Sequence, residues 1–424
     1  MNCNYACKTM EHGISRRAFL GGVGGMGLGA LANPLSAKGL MAQQKRVLVV
    51  FLAGGVSQLE TWDPKPGVVT GGPFRAIPTS VPGIHISELL PYTANWMHKL
   101  ALVRGINTKE NDHGKGSYIM HTGRRQEPAN EYPHLGSVCS KLLTEDKNPL
   151  PGYLNITPNG AGAQNSKDAA YLGPRYGSVS ISDGKAPANL EKPAGINSEA
   201  EMQRHLLRQN ANERFYSRRK SAMTEAYTQT YDQARMLMEK RGLFDITSES
   251  GKLSDRYGKH DFGRHCLLSR RLLEGGATFV KVSHTNYDTH HENFDFHIEQ
   301  LGEFDRTFAT LLEDLDTRGM LDSTLVVVMS EFGRTPTINR NFGRDHWGTA
   351  WSVAMGGCGI QKGAVVGKTN ATGTAVVDRE VNGGHLFHTY LRALGFDSKK
   401  NFYVDQRPLP MADPKASPIE EILL

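Results

Sequence analysis

Two short segments concentrate groups that bind divalent cations. NYDTHHENF carries Asp288, His290 and His291, and GRDHWG carries Arg344, Asp345 and His346 in succession. Between them, SEFGRT supplies Glu331 and Arg334. A fourth stretch, NDHGKGSYIMHTGRR, has His113, Lys115 and Ser117 within the opening turns of an expected helix, with Asp112 placed to cap it. Carboxylates and imidazoles gathered from separate segments are what a divalent metal needs. Carboxylate oxygens suit Mg, Ca and Mn, and imidazoles suit Zn, Fe and Mn, so the mixture does not choose among them. Asp288, His290, Glu331, Asp345 and His346 form the expected ligand set, and Arg334 and Arg344 are expected to clamp an oxyanion through their forked guanidinium groups. The competing reading is that each Asp caps a turn and each His makes a buried hydrogen bond. His284, His297 and His388 are assigned that structural role.

The elements around these residues explain why they should meet. KRVLVVFLAGG, Lys45 to Gly55, is a continuous apolar run ended by glycines, which reads as a strand buried on both faces. KLALVRGI, Ala277 to Ser283, Leu325 to Met329 and WSVAMGG read as further strands. Leu301, Phe304, Phe308, Leu311 and Leu315 recur at intervals of three and four, giving one apolar helix face. Alternating helices and apolar strands predict an α/β layer fold with a largely parallel sheet. Each polar segment follows a strand, where ligands bind in open α/β sheets. Residues from about 150 to 193 are rich in Gly, Pro, Asn and Ser and read as loops. From about Glu199 to Lys240 the chain is polar and helix-favouring, and is expected to form a helical insert.

Composition narrows the class. Of 424 residues, 39% are hydrophobic and 22% charged, as in ordinary globular proteins. The net charge of +6 is spread along the chain and leaves no nucleic-acid footprint. No apolar run after the first 37 residues is long enough to span a membrane. Those 37 residues contain SRRAFL, a Gly-rich weakly apolar run and PLSA, the form of a twin-arginine (Tat) export signal. The GxGxxG from Gly22 to Gly27 lies inside that run and follows no strand, so it is no dinucleotide fingerprint. Cys139, Cys266 and Cys358 are far apart, form no CxxC and are expected to be free and buried.

The segments YGKHDFGRHCLLSRRLLEGGATFVKV, NYDTHHENF, LDTRGMLDSTLVVVMSEFGRTPTINRNFGRDHWGTAWSVAMGG and GGVSQLETWDPKP closely resemble domain-of-unknown-function family 1501, whose members are exported bacterial proteins. The resemblance covers nearly the whole chain after residue 37. It implies an alkaline-phosphatase-like three-layer sandwich around a largely parallel sheet, in a single domain spanning 38–424 with a loop-rich and helical insert at about 156–250. A weaker similarity to sulfatases places Glu331 and Phe332 where those enzymes carry Asp and His. It also places His113 at the nucleophile position, with Lys115 and Ser117 replacing the Pro and Arg of the sulfatase pattern. A histidine there excludes a formylglycine nucleophile.

Three roles for His113 follow: a metal ligand beside an activated water, a nucleophile, or a neighbour of an attacking Ser117 whose anion is held by Lys115 and the helix N-terminus. The first is preferred, because a helix N-terminus disfavours the imidazolium cation. The sequence thus points to an exported, periplasmic or secreted, metal-dependent hydrolase of phosphate or sulfate esters. Its partners would be the Tat machinery and an anionic small-molecule or glycan ester. The alternative is a non-catalytic binding protein that retains the fold.

Overall fold

A computed structural model describes residues 44–424 apart from 146–147, 159–166, 188–189, 192–194, 220–221 and 405. The expected export signal lies outside the described residues. Lys45–Leu424 gathers into one compact unit. The strands of its main sheet, in chain order, are β1 Arg46–Leu52, β2 Leu100–Ile106, β3 Tyr153–Thr157, β4 Val179–Ser182, β5 Phe279–His284, β6 Thr324–Met329, β7 Trp351–Gly357 and β8 Val365–Val366. Their spatial order is β8-β2-β7-β6-β1-β5-β3-β4. β1 pairs in parallel with β5 and β6, β3 with β4 and β5, and β8 with β2. β7 alone reverses, lying antiparallel between β2 and β6.

The longer helices are α1 His113–Thr122, α2 Leu135–Leu143, α3 Ser198–Arg219, α4 Ala222–Glu239, α5 Asp261–Glu274, α6 Asn293–Thr317 and α7 Gly383–Ala393. They cover both faces of the sheet, because β1 is apolar on both. Leu48, Val50 and Leu52 pack with Leu268 of α5 and Phe304 and Leu311 of α6. Val47, Val49 and Phe51 pack with Val138 of α2 and Leu386 and Leu391 of α7. The result is a three-layer sandwich around a mixed, mostly parallel sheet. The five α6 residues of the expected apolar face are each fully buried. Cys139, Cys266 and Cys358 are free and buried.

The segment read as loops needs correction. It contains β3 and β4, which extend the sheet beyond β5. These strands escape a hydrophobicity reading because YLNIT is broken by Asn155 and VSIS alternates with serine. The part of the chain that is helical rather than sheet-forming begins at Ser198, with α3.

Candidate functional site

One edge of the sheet collects the C-terminal ends of β1, β2, β5 and β6. Because β7 is antiparallel, the residues preceding it reach that same edge. This explains why His346, which lies ahead of its strand, meets residues that follow theirs. The chain leaves β1 through Gly54 and Gly55, both at positive φ. A Cβ on Gly54 would lie 2.5 Å from the Asp288 backbone nitrogen, so only glycine allows the two segments to approach. Asp112 caps α1 by accepting from the Lys115 backbone N–H at 2.9 Å, which presents His113 at the first helical position.

Three imidazoles converge on Asp288, and each has its outer nitrogen committed to an acceptor. His113 Nδ1 lies 2.7 Å from Glu331 Oε1. His346 Nδ1 lies 2.7 Å from the Asn111 carbonyl oxygen. His290 Nδ1 lies 2.7 Å from Asp345 Oδ1. With Nδ1–H donated in all three, each Nε2 carries a lone pair into the centre. His113 Nε2 is 3.3 Å from Asp288 Oδ2 and is buried without a hydrogen-bond partner. His346 Nε2 is 3.1 Å, and His290 Nε2 3.2 Å, from Asp288 Oδ1. The Nε2 atoms of His290 and His346 face each other at 2.9 Å. Two lone pairs at that distance repel unless a cation or a shared proton lies between them. One ligand atom each from His113, Asp288 and His346 falls within 4.8 Å of the others, the spacing of a metal-binding group.

The supporting shell is dense. Glu331, only 5% exposed, also accepts from the Gly54 N–H at 2.9 Å and from Ser330 Oγ at 2.9 Å. Glu331 therefore stands behind His113, where a carboxylate can orient an imidazole, and not among the converging donors. Asn339 donates to the His290 carbonyl at 2.9 Å and to Asp345 at 3.3 Å. Burial would raise the Asp288 pKa, but the hydrogen bond from Arg334 and its charge help to bring it down to about 2. The hydrogen bond to Glu331 raises the His113 pKa, burial opposes it, and the charges of Glu331 and Asp288 add to the rise. The expected preference of a helix N-terminus for neutral imidazole is thus outweighed by a carboxylate at contact distance.

The two arginines do not serve as the expected anion clamp. Arg334 is fully buried and donates to the Gly54, Gly55 and Arg344 carbonyls and to Asp288 Oδ1, the last at 2.6 Å. Its role is to hold Asp288. Arg344 is also fully buried, paired with Glu60 at 2.9 Å and donating to the Thr70, Thr335 and Pro336 carbonyls. Neither guanidinium offers a free fork to an incoming anion.

Lys115 and Ser117 make no hydrogen bond or ion pair with Asp288, Glu331 or His346 among the described residues. Lys115 is exposed and lines a separate depression of about 430 Å³ with Glu110, Ile119 and Arg125. Ser117 Oγ is 3.3 Å from His121 Nδ1, but that nitrogen is 2.7 Å from the Ser117 carbonyl and donates there. Among the described residues, no base is therefore turned toward the Ser117 hydroxyl. His284, His297 and His388 make buried hydrogen bonds to Tyr287, Asn293 and Ser398, as expected of core histidines. The cluster itself is open to solvent, with Asp288 48% and His113 39% exposed. A larger cavity of about 550 Å³ lies elsewhere, between the end of α1 and the start of α7.

Fold and site together define a three-layer α/β protein with a histidine–aspartate centre at the strand ends. The chain belongs to the family described as Protein of unknown function (DUF1501), whose model matches residues 44–423. A search of the curated proteins found no match. Among solved structures, the chain is similar to the lipoteichoic acid synthase LtaP from Listeria monocytogenes, at 8% identity over 88% of this chain and 75% of that one, TM-score 0.42. It is similar to the PsFucS1 sulfatase from Pseudoalteromonas sp., at 13% identity over 92% and 74%, TM-score 0.40. It is also similar to the phosphonate monoester hydrolase SpPMH from Silicibacter pomeroyi, at 13% identity over 84% and 74%, TM-score 0.40.

Proposed function

We propose that this chain is an exported, metal-dependent hydrolase of phosphate or sulfate esters. The observation that carries the reading is the convergence of His113 Nε2, His346 Nε2 and Asp288 within metal-binding distance. The orphaned His113 Nε2 and the facing lone pairs of His290 and His346 are what a cation would relieve. A divalent cation held there would supply Lewis acidity toward an ester oxygen. His113, Asp288 and His346 hold it, and His290 joins them or orients them. Glu331, Asp345 and the Asn111 carbonyl fix the three tautomers, and Arg334 fixes Asp288. Three imidazoles against one carboxylate favour a transition metal over Mg or Ca. Ester substrates carried on glycans fall within the reading.

Export is part of the proposal and rests on the SRRAFL segment. Replacing Arg16 and Arg17 together by Lys should leave the precursor in the cytoplasm, and normal export of that variant would overturn it. The activity is tested with a panel of phosphate and sulfate esters, each assayed with Zn, Mn, Mg and Ca separately. Turnover is expected to require metal and to vanish in Asp288→Asn. A metal-loaded protein that turns over none of the esters would overturn the reading and favour a binding protein.

A further inference from the structure

The sheet face beneath α1 changes character toward the strand ends. Nearer the strand starts it is apolar, with Val47, Tyr153 and Phe279 in the core. Further along, Lys281 of β5 lies in register with Asn155 of β3, and Asn155 with Ser180 of β4. One pleat on, Thr157 pairs with Ser182, and Ser283 lies beside Phe51. The opposite face of the same strands stays apolar throughout, with Leu154, Ile156, Ile181, Val280 and Val282 in the core. Strands buried in a parallel sheet are normally apolar on both faces. A polar floor on one face, at the ligand-binding edge, therefore calls for a ligand.

Two of its polar side chains carry atoms that are not satisfied internally. Asn155 and Thr157 are each 5% exposed, and Asn155 Oδ1 and Thr157 Oγ1 have no hydrogen-bond partner. Native proteins leave few such atoms, because each costs about 1–3 kcal/mol. Lys281 forms no ion pair among the described residues. Its ammonium is 3.4 Å from His121 Nε2 and 5.4 Å from the Phe51 ring centre. His121 donates Nδ1–H to the Ser117 carbonyl, so Nε2 accepts from Lys281 and the ring is neutral. Burial, with the Lys281 charge, also keeps His134 neutral, with a pKa of about 3. Asp168 accepts from the Ser178 N–H and makes no contact with Lys281 within ion-pair distance. Burial brings the Lys281 pKa down to about 8, against the charges of Asp168 and Glu331, which act on it from beyond ion-pair distance.

We propose that this floor is a binding site for a tetrahedral oxyanion, sulfate or phosphate, free or carried on a larger ligand, with Lys281 as its counter-ion. The Thr157 hydroxyl donates to it, and the Asn155 amide does so after exchanging its O and N positions, an assignment set by the hydrogen-bond network. Lys281 supplies the charge-assisted bond. The site is distinct from the histidine–aspartate centre. His113, Ser117 and His121 share one stripe of α1, so His121, the residue that Lys281 meets, lies about 12 Å along the helix from His113. Access is from the β4 edge, where Ser180 is half-buried and Ser182 exposed.

The test is calorimetric titration of the full chain with sodium sulfate and, separately, inorganic phosphate. A chelator keeps the metal centre empty, and chloride holds ionic strength constant. Saturable binding of one equivalent is expected, and the tighter of the two identifies the group. Lys281→Met should weaken binding by at least about tenfold, the loss of one charge-assisted bond. Lys281→Arg should retain it. Thr157→Val keeps the side-chain shape and serves if Lys281→Met fails to fold; it should weaken both oxyanions severalfold. No saturable binding by the native chain, or native affinity in Lys281→Met or Thr157→Val, overturns the site.

Discussion

Replacing Glu331 by Gln should loosen metal binding without touching any atom that faces the metal. Glu331 Oε1 accepts from His113 Nδ1 at 2.7 Å and from the Gly54 N–H at 2.9 Å, while Oε2 accepts from Ser330 Oγ at 2.9 Å. Glutamine keeps one acceptor oxygen. If that oxygen stays on His113 and Gly54, the new NH2 group faces Ser330 Oγ, which already accepts from the Gly55 and Val56 N–H groups at 3.1 and 3.2 Å. If the amide turns over, NH2 faces the His113 N–H donor to donor. In the first case the imidazole keeps an acceptor that no longer carries charge, and in the second it loses the acceptor that fixes its tautomer. Removing such a partner weakens metal affinity about 10–100-fold, or about 1.4–2.7 kcal/mol. Competition against a chelator of known affinity measures this directly. Because Glu331 acts through His113, adding Glu331→Gln to His113→Ala should cost little more. Native affinity in Glu331→Gln, or an undiminished effect in the His113→Ala background, would refute the reasoning.

Three further outcomes follow from the same geometry. His113 has a raised pKa and must lose its proton to ligate, so metal affinity should climb at least about tenfold per pH unit below that pKa and level off above it; Asp288, at about 2, adds no slope near neutrality, and a plateau already below pH 6 in equilibrium dialysis would contradict this. Arg344→Met strands the fully buried Glu60 and should cost about 3–5 kcal/mol in denaturant unfolding, with a loss under about 1 kcal/mol counting against the pair. Ser117→Ala should keep its metal and most of its turnover, since the nearest imidazole donates to a carbonyl; an about hundredfold loss in rate would restore serine as the attacking group.

Much of the sheet is legible in the sequence because β1, β2 and β6 carry apolar runs of four or more residues and β5 follows a helix ended by Gly-Gly. β3 and β4 are not, because Asn155, Thr157, Ser180 and Ser182 break the pattern that marks a buried strand. Those same polar residues form the floor around Lys281, so the failure of the hydrophobic reading falls where the sheet carries polar groups for another purpose. At the centre, residue types alone point to Asp288, His290, Asp345 and His346. They cannot say that Arg344 turns inward to Glu60 or that Glu331 stands behind His113. Those facts depend on side-chain direction after a turn, which spacing does not encode. The Asn111 carbonyl that fixes His346 has no side-chain signature at all.

His113, Asp288 and His346 are proposed to hold a metal. This is tested most directly by elemental analysis of the chain after loading with transition metals and gel filtration, alongside His346→Ala and Asp288→Ala. About one tightly held ion per chain is expected in the native protein, with loss of that ion in both variants. Native protein that retains no ion, or variants that retain it fully, would contradict it.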